Sequence, residues 1–243
     1  IVYGRDAGTA IVADERIRAV GFTGSEAVGR MLMDVAAARE EPIPVYAEMG
    51  SLNPLVVAPG AAAAMDDLAD TIAGSVLLGS GQFCTKPGLV LVPEGEAGDR
   101  LVAALAERIR AAERSFLLSA AIRDTFVQRA AGVAGAAQAE ALAIPEPGAG
   151  SSTTAALSTV ALADLGSDPR LLDECFGPGA LVVRYADLDA LLDGLAALPS
   201  SLTMSVFVAS DEAEAARAIV AAGAQRVVAG DGRHRDASGV AGG

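Results

Sequence analysis

Apolar residues along the chain switch between two spacings, and the switches predict its elements. Residues 16–23 (Arg16-Ile-Arg-Ala-Val-Gly-Phe-Thr) read as a strand running into a turn at Gly24-Ser25. From residue 26 to about 39, Val28, Met31, Leu32 and Val35 share one face of a helix, which Pro42 and Pro44 stop. Two short apolar runs follow, 43–47 and 54–57, each of strand length. A long helical stretch over 63–78 leads into a glycine-rich segment. Residues 89–92 then read as a buried strand and 99–114 as an amphipathic helix. Further strands are predicted at 180–184 and 202–208, and a helix over 211–222. Strands alternating with helices of this length predict an α/β fold with a largely parallel sheet. Residues 130–156, rich in Ala, Gly, Ser and Pro, read as a weak helix followed by a surface loop. After Gly230 the apolar periodicity is lost and the chain reads as a disordered tail.

Composition narrows the classes. With 243 residues, 52% of them hydrophobic and 20% charged, the chain can bury a sizeable core, and with 4% aromatics that core must be mostly Ala, Val, Leu and Ile. A formal net charge of −13 repels phosphate backbones and anionic lipid heads, so neither nucleic acid nor a membrane surface is the expected partner. Two cysteines, Cys84 and Cys175, and one histidine, His234, supply neither a disulfide framework nor a Cys/His metal cluster. No apolar stretch is long enough to span a bilayer, and a soluble, cytoplasmic protein is the expectation.

Four strings could carry chemistry. In Gly81-Gln82-Phe83-Cys84-Thr85-Lys86-Pro87-Gly88, a cysteine with glycines on both sides sits where backbone amides can approach it, lowering a thiol pKa or stabilising a neighbouring oxyanion. The bland alternative is a small buried hydrophobe. In Tyr46-Ala47-Glu48-Met49-Gly50-Ser51-Leu52-Asn53-Pro54, Glu48 ends an apolar run. It is expected at a strand end, partly buried and facing a cleft, where a carboxylate can act as a base toward water; otherwise it is a solvated strand-end side chain. Phe22-Thr23-Gly24-Ser25-Glu26-Ala27-Val28-Gly29 makes a strand, turn and helix start, an anion site from helix amides, although Ser25 could serve simply as a cap. Asp173-Glu174-Cys175-Phe176-Gly177-Pro178 reads as a helix end and turn, with Cys175 assigned to packing.

These four strings, in this order, resemble the aldehyde dehydrogenase superfamily, with 36 residues from Glu48 to Cys84 and 90 from Cys84 to Glu174. The resemblance covers about residues 1–209. It implies that Cys84 is the nucleophile, attacking an aldehyde to give a thiohemiacetal and then a thioester, and that Glu48 is the base that activates the hydrolytic water. It places Gly24 and Ser25 at the cofactor pyrophosphate and Gly50 in the cofactor site. Glu174 would hold the nicotinamide ribose and Phe176 would pack near the nicotinamide. The cofactor would be NADP or NAD. The wording of Ala47, Ser51, Leu52, Phe83 and Thr85 is similar to 2,5-dioxopentanoate dehydrogenases, which favours NADP and a small-molecule aldehyde substrate.

The resemblance further implies that residues 1–47 end a Rossmann-type cofactor domain and that 48–229 form an incomplete catalytic domain, leaving 230–243 as the tail. Full members of the family are about twice as long and pair into homo-oligomers. The region ahead of Ile17 would carry an oxyanion-hole asparagine, so this chain is expected to be an internal fragment with feeble activity on its own. Two other readings stay open: an α/β remnant kept for assembly, and a cysteine-dependent esterase or acyl transferase working without nicotinamide.

Overall fold

The computed structural model describes residues 4–64 and 67–224. The chain divides into two compact units, Ile1–Gly50 and Ser51–Gly243.

The first unit contains α1 (Arg5–Ala13), β1 (Val20–Gly24), α2 (Glu26–Ala37) and β2 (Val45–Met49). β1 and β2 pair in parallel, Val20 opposite Val45 and Thr23 opposite Glu48. Val12, Leu32 and Ala36 are buried there, with Val28, Met31, Val35 and Val45 packed on them, so the α2 face picked out by apolar spacing does face inward. α1 was not foreseen. The strand predicted from residue 16 starts four residues later, because Asp14 takes the Arg16 backbone and guanidinium N–H groups (2.9 and 2.8 Å) and holds that stretch in a turn. Gly29 has a packing reason: a Cβ there would lie 2.4 Å from the Met49 sulfur, so glycine lets α2 settle on β2.

The second unit opens with β3 (Leu55–Val57), α3 (Pro59–Ala64), α4 (Leu68–Leu77), β4 (Leu89–Pro93) and α5 (Glu96–Ala111). It continues through β5 (Ser115–Phe116), α6 (Ala120–Ala134), β6 (Glu140–Ala143), β7 (Ser152–Thr153) and β8 (Ala156–Ala161). β9 (Gly179–Tyr185), α7 (Leu188–Ala197), β10 (Ser205–Phe207) and α8 (Ala213–Ala224) complete it. Six strands form one sheet in the order β10-β3-β4-β9-β8-β6, parallel throughout except that β6 runs against β8.

Both faces of this sheet are covered, which is why β4 reads as an unbroken apolar run. Val90 and Val92 pack with Ile72 of α4 and Leu105 and Ile109 of α5. Leu89 and Leu91 point the other way, onto Leu191 and Leu195 of α7 and Ile219 of α8. The α/β class with a largely parallel sheet is therefore the observed one.

Residues 130–156 differ from the expectation of a weak helix and a surface loop. α6 begins ten residues earlier, where the Ser119 hydroxyl accepts the Ile122 N–H at 3.2 Å, and 140–143 form the sheet's antiparallel edge strand. α6 buries only Phe126 and Ala130, too few apolar positions to mark a period. The short Ala-rich strand β6 exists because β8 offers it an edge. Among the described residues no helix is long and apolar enough to cross a membrane. The expected disordered tail lies outside the described residues.

Candidate active site

The second unit brings two of the four strings together. α4 passes into a short 3-10 turn, Leu78–Gly81, in which Gly79, Ser80 and Gly81 all take positive φ (57°, 59° and 66°). This left-handed run throws the chain out of the helix direction. Cys84 then lies in a turn closed by the Lys86 N–H on the Phe83 carbonyl (3.1 Å), and its side chain is exposed. Among the described residues the Cys84 and Thr85 amide N–H groups have no hydrogen-bond partner.

The turn is held from beneath by Asn53, 3% exposed and itself at a positive φ of 44°. Its amide nitrogen donates to the carbonyls of Cys84 (2.7 Å) and Lys86 (3.0 Å). Its amide oxygen accepts from the Ser51 hydroxyl (2.6 Å) and the Thr203 N–H (3.2 Å), and its own N–H reaches the Ser201 hydroxyl (3.3 Å). Three chain segments thus meet on one side-chain amide.

Lys86 follows the nucleophile candidate by two residues and is buried. Its Nζ donates to the carbonyls of Cys175 (3.1 Å) and Gly179 (2.6 Å). Burial pushes the ammonium pKa below its ordinary value, and Cys175 and Glu174 oppose that shift. The same two segments touch at Gly81, where a Cβ would lie 2.0 Å from the Gly177 carbonyl oxygen, so only glycine fits. Glu174 and Phe176, both half-buried, are in this way held beside the Cys84 turn. Arg129 also holds this segment, through the Glu174 carbonyl (3.0 Å) and an ion pair with Asp173 (3.6 Å). Cys175 packs beside Leu117 and Phe126, and burial pushes its thiol up to about 11.

The first unit brings the other two strings together. Because β1 and β2 are parallel, Gly24-Ser25 and Glu48-Gly50 emerge at the same, C-terminal, end of the strand pair, where ligands of α/β sheets gather. Ser25 is the exposed N-cap of the 12-residue α2; its carbonyl takes the N–H groups of Val28 and Gly29, and its hydroxyl makes no cap bond. Glu48 lies one residue before the strand end and is exposed rather than partly buried as expected, because β2 alternates and Glu48 falls on its outward face with Tyr46. Gly50 follows it, also exposed.

Asn53 and Lys86 were missed by sequence reasoning, although both stand inside the strings quoted for other residues. The signals were polar side chains among apolar neighbours, Asn53 before Pro54 and Lys86 before Pro87. Among the described residues no group of His, Cys, Asp and Glu could hold a metal ion.

The second unit is thus a doubly covered, largely parallel α/β sheet that carries an exposed cysteine in a turn leading out of α4. The chain matches the aldehyde dehydrogenase family over residues 1–243 and belongs to that family. It is 38% identical over 224 residues to alpha-ketoglutaric semialdehyde dehydrogenase 2 of Azospirillum brasilense, covering 89% of this chain and 42% of that protein. It is 32% identical over 225 residues to the alpha-ketoglutaric semialdehyde dehydrogenase of Acinetobacter baylyi, covering 88% and 41%. The chain therefore spans less than half the length of these relatives. A crystal structure of a bifunctional proline utilization A protein superposes with a TM-score of 0.74 at 23% identity, over 93% of this chain and 23% of that one, and so shares the fold.

Proposed function

We propose that this chain is the nucleophile-bearing part of a cytoplasmic NAD(P)-dependent aldehyde dehydrogenase that oxidises 2,5-dioxopentanoate to 2-oxoglutarate, with NADP favoured over NAD. Residues 1–47 are assigned as the end of the cofactor domain and 48–229 as catalytic domain. The observation that carries the reading is the exposed Cys84 in a turn with two free amides, fastened to the segment of Glu174 and Phe176. The names of the two semialdehyde dehydrogenases favour the substrate.

Each unit, taken by itself, carries groups that would suit one part of a nicotinamide dinucleotide. An uncapped 12-residue helix with a free serine hydroxyl at its N-terminus suits a pyrophosphate, and the Glu174 carboxylate, with no side-chain hydrogen bond among the described residues, suits a ribose diol. When bound, the nicotinamide supplies a hydride acceptor. The Cys84 thiolate attacks the aldehyde carbon, and the negative charge that forms on oxygen meets the free amides of the turn. With a nicotinamide bound to accept hydride, that carbon would be oxidised and Cys84 would be left holding it as a thioester. Glu48 takes a proton from the water that attacks the thioester carbonyl, and Cys84 departs as thiolate. The balance is one aldehyde, one water and one oxidised cofactor giving one carboxylate, one reduced cofactor and two protons.

The test is nicotinamide reduction by the purified chain, supplied with 2,5-dioxopentanoate or simple aldehydes and with NADP and NAD in turn. Mass spectrometry would follow acylation of Cys84 in parallel. Reduction or Cys84 acylation that Cys84→Ser abolishes supports the reading. Glu48→Gln should leave one equivalent of reduced cofactor per chain and little turnover after it. Undiminished reduction in Cys84→Ser would overturn it, as would turnover in which labelled substrate is acylated onto any residue other than Cys84.

A further inference from the structure

We propose that Lys86 is a positioning residue, its buried ammonium fastening the Cys84 turn to the Glu174–Phe176 segment so that the two move as one piece. The inference rests on the reading of Cys84 as nucleophile and Glu174 as cofactor ligand, and it adds a residue that neither motif role assigns. Three observations carry it. Lys86 is 6% exposed, yet among the described residues it bonds no carboxylate; its Nζ spans two carbonyls, Cys175 within the Glu174 string and Gly179 just after it. Its backbone is tied to the Cys84 turn through the Asn53 amide and through its own N–H on Phe83. The contact of Gly81 with the Gly177 carbonyl brings the same two segments together a second time, five residues earlier in the chain.

An ammonium in an apolar setting is costly unless its donors are satisfied, so a lysine here exchanges stability for a fixed distance. Backbone carbonyls are the fitting partners, since they bind the cation without adding a second side chain that could swing away. Burial weakens the hold Lys86 keeps on its proton, and the neighbouring Glu174 strengthens it. A cavity of about 30 Å³ lies along this junction, lined among others by Ser51, Lys86, Ser158, Glu174 and Cys175. It leaves room for a somewhat larger cationic side chain.

The experiment uses the 243-residue chain and iodoacetamide, with the alkylation rates of Cys84 and Cys175 followed separately by mass spectrometry in the wild type, Lys86→Met and Lys86→Arg. Cys175 is the reporter, because it lies on the clamped segment and is packed against Phe126. Loss of the ammonium in Lys86→Met should raise the Cys175 rate at least ~10-fold, while Lys86→Arg stays within about 3-fold of wild type. A packing role would reverse that order, since Met matches the lysine stem and Arg does not. Equal protection in all three chains, or better protection by Met than by Arg, would overturn the proposal. If Lys86→Met does not fold, hydrogen exchange of the wild type decides. The amides of Lys86 and Gly88 should open together with those of Gly179 and Leu181, and independent opening would refute the clamp. A slow Cys84 would sink the nucleophile assignment alone, because the clamp is read at Cys175.

Discussion

Replacing Asn53 by alanine removes the junction on which the Cys84 turn rests, and the structure sets the size of the loss. Four side-chain hydrogen bonds disappear: two donated to the Cys84 and Lys86 carbonyls and two accepted from Ser51 and Thr203. At about 1 kcal/mol each for neutral pairs, the loss is about 4 kcal/mol. The site is closed to solvent, so the abandoned groups recover little from water. Alanine also tolerates the positive φ of 44° less well than asparagine, which adds up to ~1 kcal/mol. Asn53→Gly separates the two effects, keeping the conformation while losing the bonds.

The assay is native-state hydrogen exchange at Val90, Leu91 and Val92, which report the opening of the sheet in this unit without involving the other. A loss of 4 kcal/mol predicts protection falling by roughly 10³-fold, with Gly a little milder than Ala. A fall corresponding to less than about 1 kcal/mol would refute the reasoning, showing that the three segments hold their places without the amide.

Three further outcomes follow from the same structure. Tyr185→Phe should cost about 1 kcal/mol in urea unfolding, since the buried hydroxyl donates to the Val57 carbonyl at 2.7 Å, and an unchanged midpoint would show that bond contributes nothing. Gly81→Ala should abolish Cys84-dependent acylation and destabilise the chain by 2 kcal/mol or more, with φ at 66° and backbone in the way of any Cβ; wild-type acylation by that variant would refute the close approach. Cys175 has its folded pKa raised by burial from 9.0 to about 11, so the stability it contributes is whole below pH 9 and is lost as pH rises toward 11. Cys175→Ala should therefore lose less stability than the wild type across that interval in a pH series of thermal melts, and parallel curves would contradict the shift.

The legible parts of the molecule are those in which one local pattern suffices. The uninterrupted run 89–92 and the spacing of Val28, Leu32 and Val35 announced β4 and α2 because burial on both faces, or on one stripe, leaves its period in the sequence. α6 and β6 were not legible. α6 buries two residues only, and β6 is made a strand by its pairing with β8, a partner far from it in the linear pattern. The exposure of Glu48 was missed for a related reason: strand alternation sets which face a residue takes, but only pairing and packing set which face is inside.

By itself, the sequence determined the α/β class, the order of the four motif strings and the family they point to, because each depends on residues near one another in the chain. Tertiary structure alone decided that Lys86 reaches the carbonyls of Cys175 and Gly179, 89 and 93 residues away, and that Asn53 carries the turn of Cys84, 31 residues on. A hydrogen bond acts over about 3 Å, while the segments it joins are brought within reach by the sheet order β3-β4-β9, a long-range pairing that no local spacing encodes.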